Sequence, residues 1–311
     1  MRTPSPAPAA DPAADAVRGL WLGLLGVVIF AMTLPMTRLA VGSVDAPQLT
    51  PTFVAAARAA LAAGCSLVYL AWTRAPWPRR SDLAAMGVCA LGTVFGFPLF
   101  IGIALREVDA MHGAVVTGVL PLATAVAAAL WWRQRPSAGF WTCAAAGCAL
   151  VLGYAVHAGG GRLVGADAWL LGAVACGAVG YVAGAVLSQR LPAEQVICWV
   201  LVLSLPITAP LTLLHWPAHP VSGAAWAGLG YVALFSMWLG FFAWYRALAL
   251  GGTLRVSQVQ LLQPFLGLLF AVPVLGERLD PATLVFALAV IGTVFVGRRM
   301  PTRAITPQAC A

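Results

Sequence analysis

Lysine is absent from this sequence, and charge of either sign is scarce: Asp, Glu, Lys and Arg together make up 9% of its 311 residues. Soluble chains run near a quarter charged, so this supply could not clothe a globular surface in water. CxxC pairs are missing as well. Six of the seven cysteines (Cys65, Cys89, Cys143, Cys148, Cys176 and Cys198) fall inside apolar runs, which reads as small packing residues rather than a metal or disulfide framework. The chain does not open with a compact apolar core followed by a cleavage site. Residues 1–17, rich in proline and alanine, read as a disordered tail. The apolar runs hold no acidic side chain, all ten lying in loops or the tail, so no carboxylate is placed to shuttle a proton at mid-membrane depth.

What the chain has in abundance is apolar length. Hydrophobic residues make up 61% and the mean hydropathy is +0.90. Uncharged runs approach the ~20 residues that cross a hydrocarbon layer. Spans are expected near 19–37, 52–73, 83–105, 110–132, 138–156, 168–187, 195–214, 223–245, 256–275 and 281–297. The expected fold is an all-α membrane protein of ten transmembrane helices. All 18 basic residues are arginine, in short gaps between spans, so the net charge of +8 is topogenic and calls for no nucleic acid. Counted on alternate loops, thirteen arginines share the side of the termini and four the other, with Arg58 alone inside a span. This bias puts both termini in the cytoplasm. Trp21, Trp72, Trp131, Trp132, Trp141, Trp169, Trp216 and Trp226 mark span ends, where an indole keeps its N–H wet.

The stretch from Ala104 can be laid on the stretch from Ala247, 143 positions later. Pro121 then meets Pro264, and Ala104, Leu105, Val116, Ala128 and Arg135 meet identical residues. Repeats over 18–157 and 165–299 follow, with a short tail over 300–311. Each repeat holds five spans, an odd number, so the second half must insert inverted relative to the first. Inverted repeats let one fold open to either side at similar energy, the mechanical basis of alternating access.

With Arg58 in span two, prolines midway along spans four and nine, and Leu275-Gly276-Glu277-Arg278 after span nine, the chain resembles the EamA branch of the drug/metabolite transporter superfamily. The likeness covers roughly residues 18–299; the first half departs from it, reading Trp132-Arg133-Gln134 where the second reads LGE. The resemblance implies a bacterial inner-membrane carrier, commonly an exporter of amino acids, related metabolites or toxic compounds.

Candidate site residues come from what is costly at depth. Pro121 strips the carbonyl of Thr117 of its helical donor and Pro264 does so at Gln260. By helical rise the prolines lie about 16 Å and 12 Å into their spans. The face Gly113, Thr117, Pro121, Thr124 matches Val256, Gln260, Pro264, Gly267. Close packing of kinked helices is one reading of it; cavity lining is the other, favoured by two mid-span amides, Gln260 and Gln263. Ser257 and Gln258 lie nearer the cytoplasmic edge and read as structural. Arg58 either marks a substrate path, binding a carboxylate, or snorkels to the interface from about 9 Å depth. Tyr231, Phe235, Trp238, Phe242 and Tyr245 share one α-helical face, as packing or as the wall of a pocket for a flat solute. Thr33 and Pro35 suggest a kink in span one. His112, beside Glu107 and Asp109, forms the one titrating cluster and reads as a capping or interface residue.

The expected substrate site is therefore Arg58, Thr117, Pro121, Trp238, Tyr245, Gln260, Gln263 and Pro264. No catalytic constellation is visible, since His157, His215 and His219 sit at loop margins, and no cofactor or metal is implied. The partners expected are a small-molecule substrate and the lipid bilayer, with a homodimer left open. Facilitated diffusion, or coupling by another route, fits the missing carboxylates. The competing expectation is a sensor or scaffold that keeps the fold without transporting.

Overall fold

A computed structural model describes residues 12–131, 135–251, 259–299 and 302–303. The expectations made for residues 1–11, for Trp132-Arg133-Gln134, for Val256, Ser257 and Gln258, and for most of the C-terminal tail lie outside the described residues. Helix begins at Pro12, inside the stretch expected to be a tail.

Eight helices are long and apolar enough to cross a membrane: α1 (Val17–Val41), α2 (Pro51–Trp72), α3 (Arg80–Glu107), α4 (Ala110–Trp131), α5 (Ala138–Ala158), α6 (Gly165–Ser188), α7 (Ala193–Leu214) and α8 (Gly223–Ala247). Two shorter apolar helices follow, α9 (Gln260–Leu275) and α10 (Pro281–Gly297). The only strands among the described residues are the two-residue pair Arg135–Pro136 and Thr302–Arg303. The outward faces stay apolar along the helices, with Leu61, Val68, Leu91, Leu130, Ile207, Leu269, Val285 and Leu288 all at least half exposed. Continuous apolar exposure on this scale suits lipid, not water.

Local chemistry fixes the helix ends. Thr50, Ser137 and Ser222 accept hydrogen bonds from the amides of Phe53, Phe140 and Ala225 at the starts of α2, α5 and α8. Gly276 ends α9 in the left-handed conformation (φ +69°), where a side chain would be strained.

Hydrogen bonds tie alternate loops together at each end. At one end Val44 N donates to Arg106 O, the imidazole Nε2 of His219 pairs with Gln48 O, and the amides of Ala110 and Met111 donate to the Glu277 carboxylate. At the other, Arg190 of the α6–α7 loop reaches Asp82 at the start of α3 at 3.0 Å. Helix packing follows one scheme: α1 lies on α8, α2 on α7, α3 on α6 and α5 on α10, while α4 rests mainly on α6 and α9 on α1, the two also meeting each other. Exchanging each helix of the first five for its counterpart in the second five returns the same scheme. The approach of α3 to α6 is backbone to backbone. A Cβ on Gly92 would come within 2.5 Å of Cys176 O, and one on Gly180 within 2.7 Å of the Thr93 methyl.

Four of the ten helices are irregular within their length, and α9 opens on an irregular first turn. α1 turns at Met32. α4 stops at Thr117 and restarts at Leu120. α9 passes through a 3-10 turn, Gln260–Leu262, before running regularly from Gln263. α3 and α8 carry π-helical stretches, Ala90–Gly96 and Val232–Leu239, which end together and start one residue apart at an offset of 143 positions. Each proline stands in the first turn of a resumed helix, Pro121 after Leu120 and Pro264 after Gln263, where the missing N–H costs nothing. The interruption is thus completed before the proline rather than at it.

Candidate functional site

These irregular stretches converge. The breaks of α1, α4 and α9 enclose a cavity lined by Ala31, Thr117, Pro121, Gln260, Gln263 and Pro264. A second cavity adjoins it, sharing Phe30, Leu34, Thr117, Leu120 and Gln263, and continues to Arg58, Thr93, Tyr181, Ser236 and Phe241. The free spaces are about 30 and 60 Å³. That is room for water rather than for a metabolite.

Arg58 decides the electrostatics. It is 4% exposed, and its guanidinium faces the second cavity instead of reaching towards the interface. Nη2 donates to Ser236 Oγ at 3.2 Å, and that hydroxyl is 2.8 Å from Thr33 Oγ1. Buried Nε has no partner among the described residues, and no ion pair to Arg58 is formed there. Desolvating an ion costs several kcal/mol even after relaxation. A hydrogen bond to a charged group returns only about 1.5–3 kcal/mol. The guanidinium therefore holds unspent attraction for an anion.

Six of the eight expected site residues line the joined cavities: Arg58, Thr117, Pro121, Gln260, Gln263 and Pro264. Trp238 and Tyr245 do not. The stripe from Tyr231 to Tyr245 presumes about 3.6 residues per turn, and the π-helical stretch winds more slowly, so the five aromatics part company. Tyr231 stacks on Phe235 and donates to Ile29 O, while Trp238 packs on Phe242 and Tyr245 on Phe241. Ser236, Met237 and Phe241 face the cavity in their place.

A polar cleft of about 390 Å³ lies beyond, at the end that holds the α3–α4, α5–α6 and α9–α10 loops. Its lining includes Glu107, Asp109, His112, His157, Glu277 and Asp280. His112 does not cap its own helix but pairs across to α6, at the edge of this cleft. It is 6% exposed, with Nε2 2.7 Å from the Asp167 carboxylate and its ring on Tyr154. Asp167 and Asp82 are likewise not loop residues: both are buried at helix starts, where Val164 N and Arg190 supply partners. Glu277 accepts from Ala110 N at 2.7 Å and Met111 N at 2.8 Å, capping the start of α4 from the end of α9. Burial lifts the Glu277 carboxyl above its ordinary range. Asp280 is held below it by the hydroxyl and amide of Thr283.

The sequence model of the EamA-like transporter family matches residues 17–155 and again 164–298. The chain belongs to the EamA-like transporter family. It is 44% identical over 282 residues to the uncharacterized transporter YdeK of Bacillus subtilis (strain 168), covering 90% of this chain and 96% of that one. It is similar in fold to a solved crystal structure at 17% identity and a TM-score of 0.61, over 89% of this chain and 95% of the other. The protein is therefore a membrane transporter in general class, with several membrane-spanning helices.

Two features of this EamA-family chain acquire a physical account. In the Leu275-Gly276-Glu277-Arg278 run, glycine supplies the left-handed turn that ends α9, and glutamate caps α4. Ser236 and Thr93 were not singled out from the sequence, although they lie 143 positions apart, Ser236 as the fifth residue of Val232–Leu239 and Thr93 as the fourth of Ala90–Gly96. Cys89 and Cys198 are buried as expected of packing residues, whereas Cys148 lies on the outer face.

Proposed function

We propose that this chain carries a small solute across the bacterial inner membrane by alternating access, with two inverted five-helix halves, ten spans in all and both termini in the cytoplasm. Export is the direction this reading favours. The repeat halves are residues 18–157 and 165–299, and the substrate site is the joined cavity at Arg58, Thr117, Pro121, Gln260, Gln263 and Pro264. One observation carries the proposal: the irregular stretches of α1, α3, α4, α8 and α9 meet around a cavity whose largely apolar wall holds Arg58 and a few other polar groups. Irregular backbone at that depth is tolerated where it lines a solvated path. The exchange symmetry of the helix packing and the gathering of alternate loops at each end support the inverted arrangement. Rocking one half against the other would open the cavity first to one side and then to the other.

A thermal-shift screen of the purified protein against amino acids, nucleosides, polyamines, carboxylates and drugs tests this, because a ligand that binds the native state raises its stability. Hits are then followed as flux in reconstituted vesicles. Saturable flux of at least one hit is expected, lost in Gln263→Leu while the variant still folds. Binding and flux absent for the whole panel would leave a scaffold instead.

A further inference from the structure

Resting on the central cavity as the substrate site, we infer that the solute is an organic anion: a carboxylate on an apolar body, without an ammonium group. The observation is the isolation of Arg58. Its charge is buried, one hydrogen bond runs to Ser236 Oγ, and Nε faces no acceptor among the described residues. The cavity lining contains no carboxylate. A cationic or zwitterionic solute would bring an ammonium group to a site whose one ionised group is a cation, with no opposite charge to receive it. A carboxylate is the group whose charge matches a guanidinium and whose paired oxygens can accept from its planar fork. The Ser236–Thr33 pair keeps one hydroxyl proton to donate beside it, whereas the Thr93 hydroxyl already donates to Cys89 O.

The rest of the lining describes the body of the ligand. Phe30, Phe97 and Phe241 wall the second cavity with Leu34, Leu120 and Met237. Such a wall favours an apolar group over a hydrated inorganic ion. Gln263 and Thr117 stand at the junction of the two cavities, where a second polar substituent would find an amide and a hydroxyl.

Three probes sharing a phenylethyl group separate the charge states: 3-phenylpropionate, phenylalanine and phenethylamine. In vesicles containing the whole protein, the anion is expected to move saturably, at least ten times faster than the other two. Arg58→Lys keeps the charge without the fork, so it should retain a reduced flux. Arg58→Gln should bring the anion to background while gel filtration reports a folded protein. Should Arg58→Gln misfold, the probe series and the Arg58→Lys variant still decide the matter. Preferred transport of phenylalanine or phenethylamine overturns the inference but leaves the carrier intact, as does full anion flux in folded Arg58→Gln. So does a lack of flux for all three probes while another panel solute moves. Competition by chloride or inorganic phosphate, with none by carboxylates, identifies an inorganic-anion site and also overturns it. If no solute moves at all, the carrier reading fails and the inference with it.

Discussion

Gly92 and Gly180 let α3 and α6 touch through their backbones, and neither position has room for a Cβ. Small residues at such crossings replace the hydrophobic drive that lipid cannot supply between helices. Gly180→Leu is therefore expected to cost about 1–3 kcal/mol by overpacking, read as a lower melting temperature in detergent, whereas Gly292→Leu, where a Cβ meets nothing, should change little. Glu277 is a test of sign. Because burial raises its folded pKa, the folded protein binds that proton more readily, and the linked stability is fully present below the ordinary glutamate value of about 4.3. It is lost as pH rises through the raised value. Melting temperatures measured from pH 4 to 7 should show Glu277→Gln gaining on the wild type as pH rises. A widening deficit instead would mean that the two amide bonds outweigh burial. Asp280 behaves oppositely, since its pKa is lowered. Its stabilisation holds above the ordinary aspartate range and fades as pH falls through the lowered value, and Asp280→Ala should cost about 1 kcal/mol through the lost cap.

At the scale of the element, the two π-helical stretches matter most. A π-helix spends an extra residue within a turn and re-aims the side chains inside it, leaving the helix beyond in register. Deleting Ala233 should let the stretch in α8 wind as α-helix, keep the packing of α1 on α8, and turn Ser236 away from Arg58. Folding should survive while flux of the transported solute falls about tenfold, the equivalent of about 1.4 kcal/mol. Unchanged flux would show that the stretch is a packing device only. Sequence periodicity could not expose this feature. The spacing from Tyr231 to Tyr245 fits an α-helical stripe, and hydrogen-bond register inside a helix leaves no mark on hydropathy. The prolines were readable because proline removes a donor wherever it stands, although the break itself forms before Pro121 and Pro264.

At the scale of the whole molecule, opposed placement of alternate loops is the testable claim. In a background with every cysteine replaced by serine, His219→Cys in the α7–α8 loop should react with an impermeant maleimide on intact cells. Gln189→Cys in the α6–α7 loop should react only after lysis. Labelling of both on intact cells would break the expected orientation, which rests on the excess of arginine on the side of the termini.

The sequence by itself determined the apolar helices, their order and approximate ends, because membrane crossing demands uninterrupted apolar length. It also nominated Thr117, Gln260 and Gln263, since amides and hydroxyls at mid-depth are costly without a purpose. Only the tertiary structure decided which polar groups meet. Arg58 could snorkel or turn inward, and the answer depended on Ser236, 178 positions away, standing where a π-helical turn aims it. His112 found Asp167 across 55 positions for the same reason: partners distant in sequence are chosen by how helices pack, and hydropathy does not encode packing.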